Sequence, residues 1–337
     1  MGFFGGGDAI AVGAWEPTFC AGGRAASADA ALGMLARRAS QLGDRAFTAE
    51  DLRRSCAAFA DAQLPADVRR RLHRAINDRR SGRAIAGLTV LLALCGWISG
   101  GDEGARLAIV GALSPNGAGG SAGSRETLRH RRDARRLHAG EALELFAVVH
   151  EICRRAGMRR TPELYVLTGE RTMNAYALGT PDDAVITLTS GLLQGMTKGE
   201  VAAIVAHEIA HICNGDASTM TVAANLQRAI AIVAAASLAS TGRRGVPASL
   251  LSLLHAAPAI AELLCLGLSR IRELAADAFA LDLIENPGAL ASALEKLEHH
   301  HMGRATGPRF EFEGDASAYL RTHPSTGQRL SFVHILA

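Results

Sequence analysis

Residues 197–216 read TKGEVAAIVAHEIAHICNGD, and the rest of the chain is understood from them. Thr197, followed three residues later by Glu200, carries the signature of a capping box, in which each residue satisfies a backbone N–H of the other at a helix start. Val201, Ile204, Val205, Ile209 and Ile212 then recur at helical spacing, so a helix with a buried stripe is predicted. The same helix bears His207 and His211, four residues apart on one face, with Glu208 beside the first.

Two imidazoles one turn apart can point at one ion. Zinc suits such a pair, because neutral imidazole is a good ligand and a catalytic site keeps one position for water. Glu208 lies where its carboxylate reaches that water. It would accept a proton as the water attacks a peptide carbonyl and pass it to the leaving amine. The alternative is chance: with 12 histidines, a random His-Glu-x-x-His arises in roughly one or two such chains per hundred. Its place on a capped helix argues against chance.

A third ligand is needed. The residues after His211, Ile212-Cys-Asn-Gly-Asp216, supply no further histidine, so it comes from elsewhere. Ser269–Asp277 (SRIRELAAD) offers Glu273 and Asp277 on one face of a second helix. Glu273 would complete a His2Glu set, and Asp277 would accept the outer ring proton of a ligand histidine and fix its tautomer. The plain alternative is a solvated face. Leu274, Ala275, Ala276, Phe279 and Leu281 argue instead for burial, where carboxylates need partners.

Around these helices, Glu141–Ala156 reads as amphipathic, and Glu163–Leu167, Met173–Leu178 and Ala184–Thr189 read as short strands separated by turn residues such as Gly169 and Thr180-Pro-Asp-Asp183. The His299-His300-His301 run reads as a helix end favoured by the dipole, binding metal only adventitiously.

The N-terminal portion is different in character. Met1–Phe19 has no basic start and no sustained apolar core, so it is not read as a cleaved export signal. Residues 1–30, rich in Gly and Ala, are expected to be poorly ordered, and 47–80 helical. Residues 84–101 carry no charge and just reach the length of a membrane span. Arg79, Arg80 and Arg83 precede them and Asp102 and Glu103 follow, which would put the N-terminal side in the cytoplasm. The alternative is a buried core helix. A single crossing there would strand the basic run 125–136 on the wrong side; a return pass near 105–120 or a re-entrant hairpin would resolve this. Residues 229–242 and 245–261 are also uncharged, short for spans, and read either as packed soluble helices or as a membrane hairpin.

Composition excludes little. A net charge of +3 over 337 residues gives no reason to expect nucleic acid as a partner. The six cysteines include no CxxC pair, so neither a disulfide framework nor a cysteine metal site is predicted.

Taken together, the motifs resemble those of the HtpX-type membrane zinc metalloproteases, related to the CAAX-processing and Oma-type peptidases. The likeness runs from about 141 to 334. It is carried by Asn174-Ala-Tyr-Ala177, Thr189-Ser-Gly-Leu-Leu193, Ala206-His-Glu-Ile-Ala-His211, Asn214-Gly-Asp216, Ser269-Arg-x-x-Glu-x-x-Ala-Asp277, His323-Pro324 and Arg329-Leu330. The resemblance implies a zincin catalytic domain with one zinc per chain, acting on membrane or misfolded polypeptides. It implies that Asn174, Ala175, Tyr176 and Ala177 border the cleft and bind substrate backbone. It also implies that His323 donates to the developing oxyanion and that Arg329 supports the site. Two departures stand out: about 80 polar and Ala-rich residues precede the first apolar run, and the later apolar segments are weak.

The expected fold is α+β and mainly helical: a zincin catalytic domain with a small antiparallel sheet and active-site helices, a helical N-terminal region and candidate transmembrane helices. The expected division is 1–83, a helical and partly disordered region; 84–124, a membrane segment and Gly/Ser linker; and 125–337, the peptidase domain, with a candidate membrane hairpin at 229–268. The expected setting is the inner membrane with the catalytic domain facing the cytoplasm and lipid as a partner. The alternatives are a soluble cytoplasmic peptidase of the same clan and an inactive scaffold or chaperone-like relative.

Overall fold

The structure, a computed structural model, describes residues 66–113, 128, 131–241, 246–305 and 326–336. The expectations for 1–30 and 47–65, for the linker and for His323 lie outside these residues.

In chain order the elements are α1 (Ala66–Leu113), β1 (Ala134–Arg136), α2 (Leu143–Ala156), β2 (Glu163–Leu167), β3 (Ala175–Thr180), β4 (Asp183–Thr189), α3 (Ser190–Gly195), α4 (Lys198–Asn214), α5 (Asp216–Thr241), α6 (Ala248–Leu283), α7 (Pro287–Ala305) and α8 (Thr326–Leu336). They gather around two apolar cores.

The first core joins the sheet to α2, α4 and α7 through residues such as Val149, Ile152, Ile186, Leu188, Val205, Ile209 and Leu294. Its sheet corrects one expectation. It has four strands in the order β1-β2-β4-β3 and is mixed, not antiparallel. β3 and β4 form an antiparallel hairpin, but β4 enters between β3 and β2 and runs parallel to β2. The connection 168–174 carries the chain to the outer edge before it turns back, so alternation along the sequence did not reveal the pairing order. β3 begins at Ala175 rather than Met173. Gly179, at φ 96°, shapes the turn, and a side chain there would meet the carbonyl of Asp183.

The second core is a three-helix bundle of α1, α5 and α6. Leu88, Leu92 and Cys95 meet Ala223, Leu226, Ile230 and Ala234 from α5 and Leu254, Ala257, Ala261 and Leu268 from α6. The many alanines let the helices approach closely, and Ser237 donates to the carbonyl of Cys95 across the interface at 3.0 Å. The apolar segments are longer in the structure than in the sequence reading. Residues 229–241 belong to a 26-residue helix that begins at Asp216. Residues 248–261 open a 36-residue helix that passes through Pro258, takes in the expected helix of Glu273 and Asp277, and ends at Leu283. α1, α5 and α6 are each long and apolar enough to cross a membrane. Of the exposed large apolar side chains among the described residues, all but Leu143 lie on these three helices, Trp97, Leu107, Val110, Ile232 and Leu263 among them.

α1 also contains the return that the charge pattern called for. Gly100 and Gly101 leave the helical region, Gly101 at φ 62°, a backbone that favours glycine. The arms fold back so closely that a Cβ on Gly96 or Gly104 would strike the carbonyl of the other. The returning arm, from 102 to 113, is too short to cross a bilayer by itself.

Candidate metal centre

α4 begins as predicted. Thr197 Oγ1 accepts from the Glu200 N–H, and the Thr197 N–H donates to Glu200 Oε2 at 2.7 Å. Burial and its charged and polar contacts compete at the Glu200 carboxyl. Lys296, Ser292 and Thr197 outweigh burial and hold it down at about 2. From Val201 to Ile212 nearly every side chain is buried, so the helix is clamped all round. It ends at Gly215, whose left-handed backbone (φ 66°) caps the helix and turns the chain into α5.

This fixed helix brings His207 and His211 together with Glu273 of α6. The two Nε2 atoms are 2.9 Å apart. His207 Nε2 is 3.4 Å from Glu273 Oε2, and His211 Nε2 is 3.6 Å from Glu273 Oε1. Ligand atoms about 2.0–2.2 Å from a tetrahedral zinc stand roughly 3.3–3.6 Å from one another. The three donors therefore fit one such ion, with a small opening of the His–His distance.

Each imidazole is backed by an aspartate on its far side. His207 Nδ1 lies 2.9 Å from Asp277 Oδ1, and His211 Nδ1 lies 2.5 Å from Asp216 Oδ2. Asp277 in turn receives both arms of Arg329, at 2.6 and 2.7 Å, and another nitrogen of Arg329 is 3.5 Å from Glu273. Asp216 is ion-paired with Arg272. Four carboxyls (Glu208, Asp216, Glu273, Asp277) and two guanidiniums (Arg272, Arg329) are thus buried around two histidines. With every carboxyl ionised the charge is unbalanced by two negatives. Buried charge needs a partner, and a divalent cation among the three donors would supply it.

The field of this cluster is felt at each titrating group. At His207 burial lowers the pKa, but Asp277 and Glu273 prevail and raise it. At His211 burial and the neighbouring His207 lower it. Burial pushes the Glu208 carboxyl up, while the two imidazoles and a hydrogen bond from the Ala177 backbone N–H act in the other direction.

Glu208 lies on the wall of a cavity of about 340 Å³ that also holds the three donors. Asn174, Ala175, Tyr176 and Ala177 line it. Asn174 precedes β3 and is held by Thr189, which pairs with its backbone N–H and carbonyl, both at 3.0 Å. β3 is the outer strand of the sheet, with no strand on its far side among the described residues. Arg329 and Asp277, widely separated in sequence, thus meet at the centre. Asp216 and Arg272 are the participants that the motif reading left without a role. Asp216 follows His211 by five residues across the Gly215 turn, and that proximity was the available signal. For Arg272 there was none, since its partners come from distant segments. The histidine run does not end its helix: α7 continues to Ala305, and His300 Nε2 accepts from the Met173 N–H at 3.2 Å, beside the cavity strand.

The sequence profile of peptidase family M48 matches residues 140–336. A protein named Protease HtpX homolog from Salinibacter ruber is 34% identical over 275 residues, which is 78% of this chain and 99% of that protein. One of the same name from Thermococcus sibiricus is 34% identical over 282 residues, 77% of this chain and 95% of that protein. The crystal structure of S. mikatae Ste24p is 20% identical and covers 59% of this chain and 50% of its own, with a TM-score of 0.42.

Proposed function

The chain belongs to peptidase family M48, and on that premise we propose that it is a zinc-dependent endopeptidase seated in a membrane. The observation that carries the reading is the convergence of His207, His211 and Glu273 beside Glu208 on the wall of one cavity. His207, His211 and Glu273 would hold the zinc, with Asp277 and Arg329 fixing the first imidazole. Zinc bound there would polarise a carbonyl oxygen and lower the pKa of a water.

Glu208 is the group that moves the proton. Its carboxylate takes one from the attacking water and returns it to the nitrogen of the leaving amine, and a carboxyl raised by burial suits that exchange. The β3 edge, from Ala175 to Ala177, offers backbone N–H and C=O groups to an extended substrate chain. His323 keeps its role as a donor to the oxyanion on the family resemblance alone.

The proposed setting is supported by α1, α5 and α6. α5 leaves the metal centre at Asp216 and α6 returns to it at Glu273, while α1 touches the same end through Arg74, whose guanidinium donates to the carbonyl of Cys213 at 2.6 Å. These contacts support a peptidase body on the Arg-rich side of α1, the side that the positive-inside rule would assign to the cytoplasm. We retain the division into 1–83, 84–124 and 125–337, an inner-membrane location, and membrane or misfolded polypeptides as substrates in protein quality control. Purified protein should cleave casein, an unstructured polypeptide, and a chelator should stop it. Cleavage that survives complete zinc removal would overturn the reading, and absence of cleavage by zinc-loaded protein would favour a scaffold.

A further inference from the structure

We infer that Arg272 is a positioning residue that ties the seat of His211 to α1, so that the packing of the first apolar helix is felt at the metal centre. The inference rests on the zinc reading above and deepens it.

Arg272 precedes Glu273 on α6 and is 3% exposed. Its guanidinium reaches three other elements. One nitrogen donates to the carbonyl of Asn214, the last residue of α4, at 2.7 Å. Another donates to Ser81 Oγ of α1 at 3.1 Å. The group is also ion-paired with Asp216, at the start of α5, whose second oxygen holds His211 Nδ1 at 2.5 Å. The order of contact is therefore Ser81, Arg272, Asp216, His211. Arg74, seven residues before Ser81 on the same helix face, makes a parallel tie to the carbonyl of Cys213.

The chemistry favours a coupled unit. The carbonyls of Cys213 and Asn214 lie at the negative end of α4, where cations are stabilised. A planar guanidinium serves several acceptors in a fixed fork, which an ammonium does not. Asp216 is 5% exposed and is shared between one cation and one imidazole. If the hydroxyl of Ser81 is withdrawn, Arg272 loses one of its three anchors. Asp216 then has a less fixed partner, and the orientation of the His211 ring follows. Ser81 lies one turn before the uncharged run 84–101, so this anchor stands where the bundle meets the peptidase body.

The test uses the full chain purified in detergent and loaded with zinc. Four variants are compared with wild type: Ser81→Ala, Arg272→Lys, Asp216→Asn and His211→Ala. Zinc per chain is measured by elemental analysis, zinc release by transfer to a chromogenic chelator, and melting temperature alongside. Removing a partner that orients a ligand costs on the order of 10- to 100-fold in metal affinity. Asp216→Asn should speed release by about that factor, Arg272→Lys by roughly tenfold and Ser81→Ala by a few-fold, the last with an unchanged melting temperature. If Asp216→Asn does not fold, Ser81→Ala decides, because it leaves Arg272 its carboxylate and its carbonyl. Wild-type release rates in Ser81→Ala and Arg272→Lys would overturn the coupling while leaving the zinc reading intact. Retention of full zinc by His211→Ala would overturn the zinc reading itself.

Discussion

The Nε2 atoms of His207 and His211 face each other across 2.9 Å, with the ring planes at 89°. Two residues four apart on a helix bring their side chains together, but convergence of these particular nitrogens requires both rings to be turned inward. Asp277 does this for one ring and Asp216 for the other, each from the side opposite Glu273. The donor set is thus held by an outer ring of carboxylates, themselves held by Arg329 and Arg272.

Glu208→Gln should abolish cleavage and leave zinc in place. Glutamine keeps the shape of the side chain but cannot accept a proton from water at neutral pH. Loss of a positioned general base costs on the order of 10²- to 10⁴-fold in rate. Cleavage rate and zinc content measured on the same sample check this; wild-type cleavage with zinc bound would assign the base role elsewhere.

Asp277→Asn acts on two neighbours at once. It weakens the hold on His207 and takes from Arg329 its bidentate partner. Zinc affinity should fall on the order of 10- to 100-fold, and the melting temperature should fall as well, because a buried guanidinium is left short of counter-charge. Competition with a chelator of known affinity, together with calorimetry, separates the two effects.

Glu200 makes acid stability a test of α4. Its carboxyl is held at about 2 in the folded chain against about 4.5 unfolded. A depressed carboxylate stabilises the fold above the unfolded value and loses that contribution as pH falls toward the folded one. Glu200→Gln should therefore lower the melting temperature at pH 7 and flatten its decline between about pH 4.5 and 2. Parallel wild-type and variant curves across that window would show that Lys296, Ser292 and Thr197 do not act through the charge.

The exposed apolar faces of α1, α5 and α6 predict that the protein stays with the membrane pellet after alkaline carbonate washing and requires detergent for extraction. Release of the intact chain by carbonate would instead assign those faces to a protein partner.

The local sequence determined the metal helix almost completely. Thr197 and Glu200 set where it starts, its apolar residues bury it, and its i, i+4 histidines share a face; each depends on neighbours within a few turns. Glu273 and Asp277 were legible for the same reason, being one helical turn apart among apolar residues. The uncharged length of 84–101 and the arginines around it indicated both the apolar helix and the need for a return. Tertiary structure alone decided the rest. Strand order depends on which edges are free when β4 arrives, and alternation is the same for parallel and antiparallel neighbours. The extents of α5 and α6 depend on packing against α1 that carries them through polar ends and past Pro258. The ring from Ser81 through Arg272 and Asp216 to His211 joins segments up to 191 positions apart. Such contacts arise from the cost of burying a guanidinium without partners, a demand that no single stretch of sequence can display.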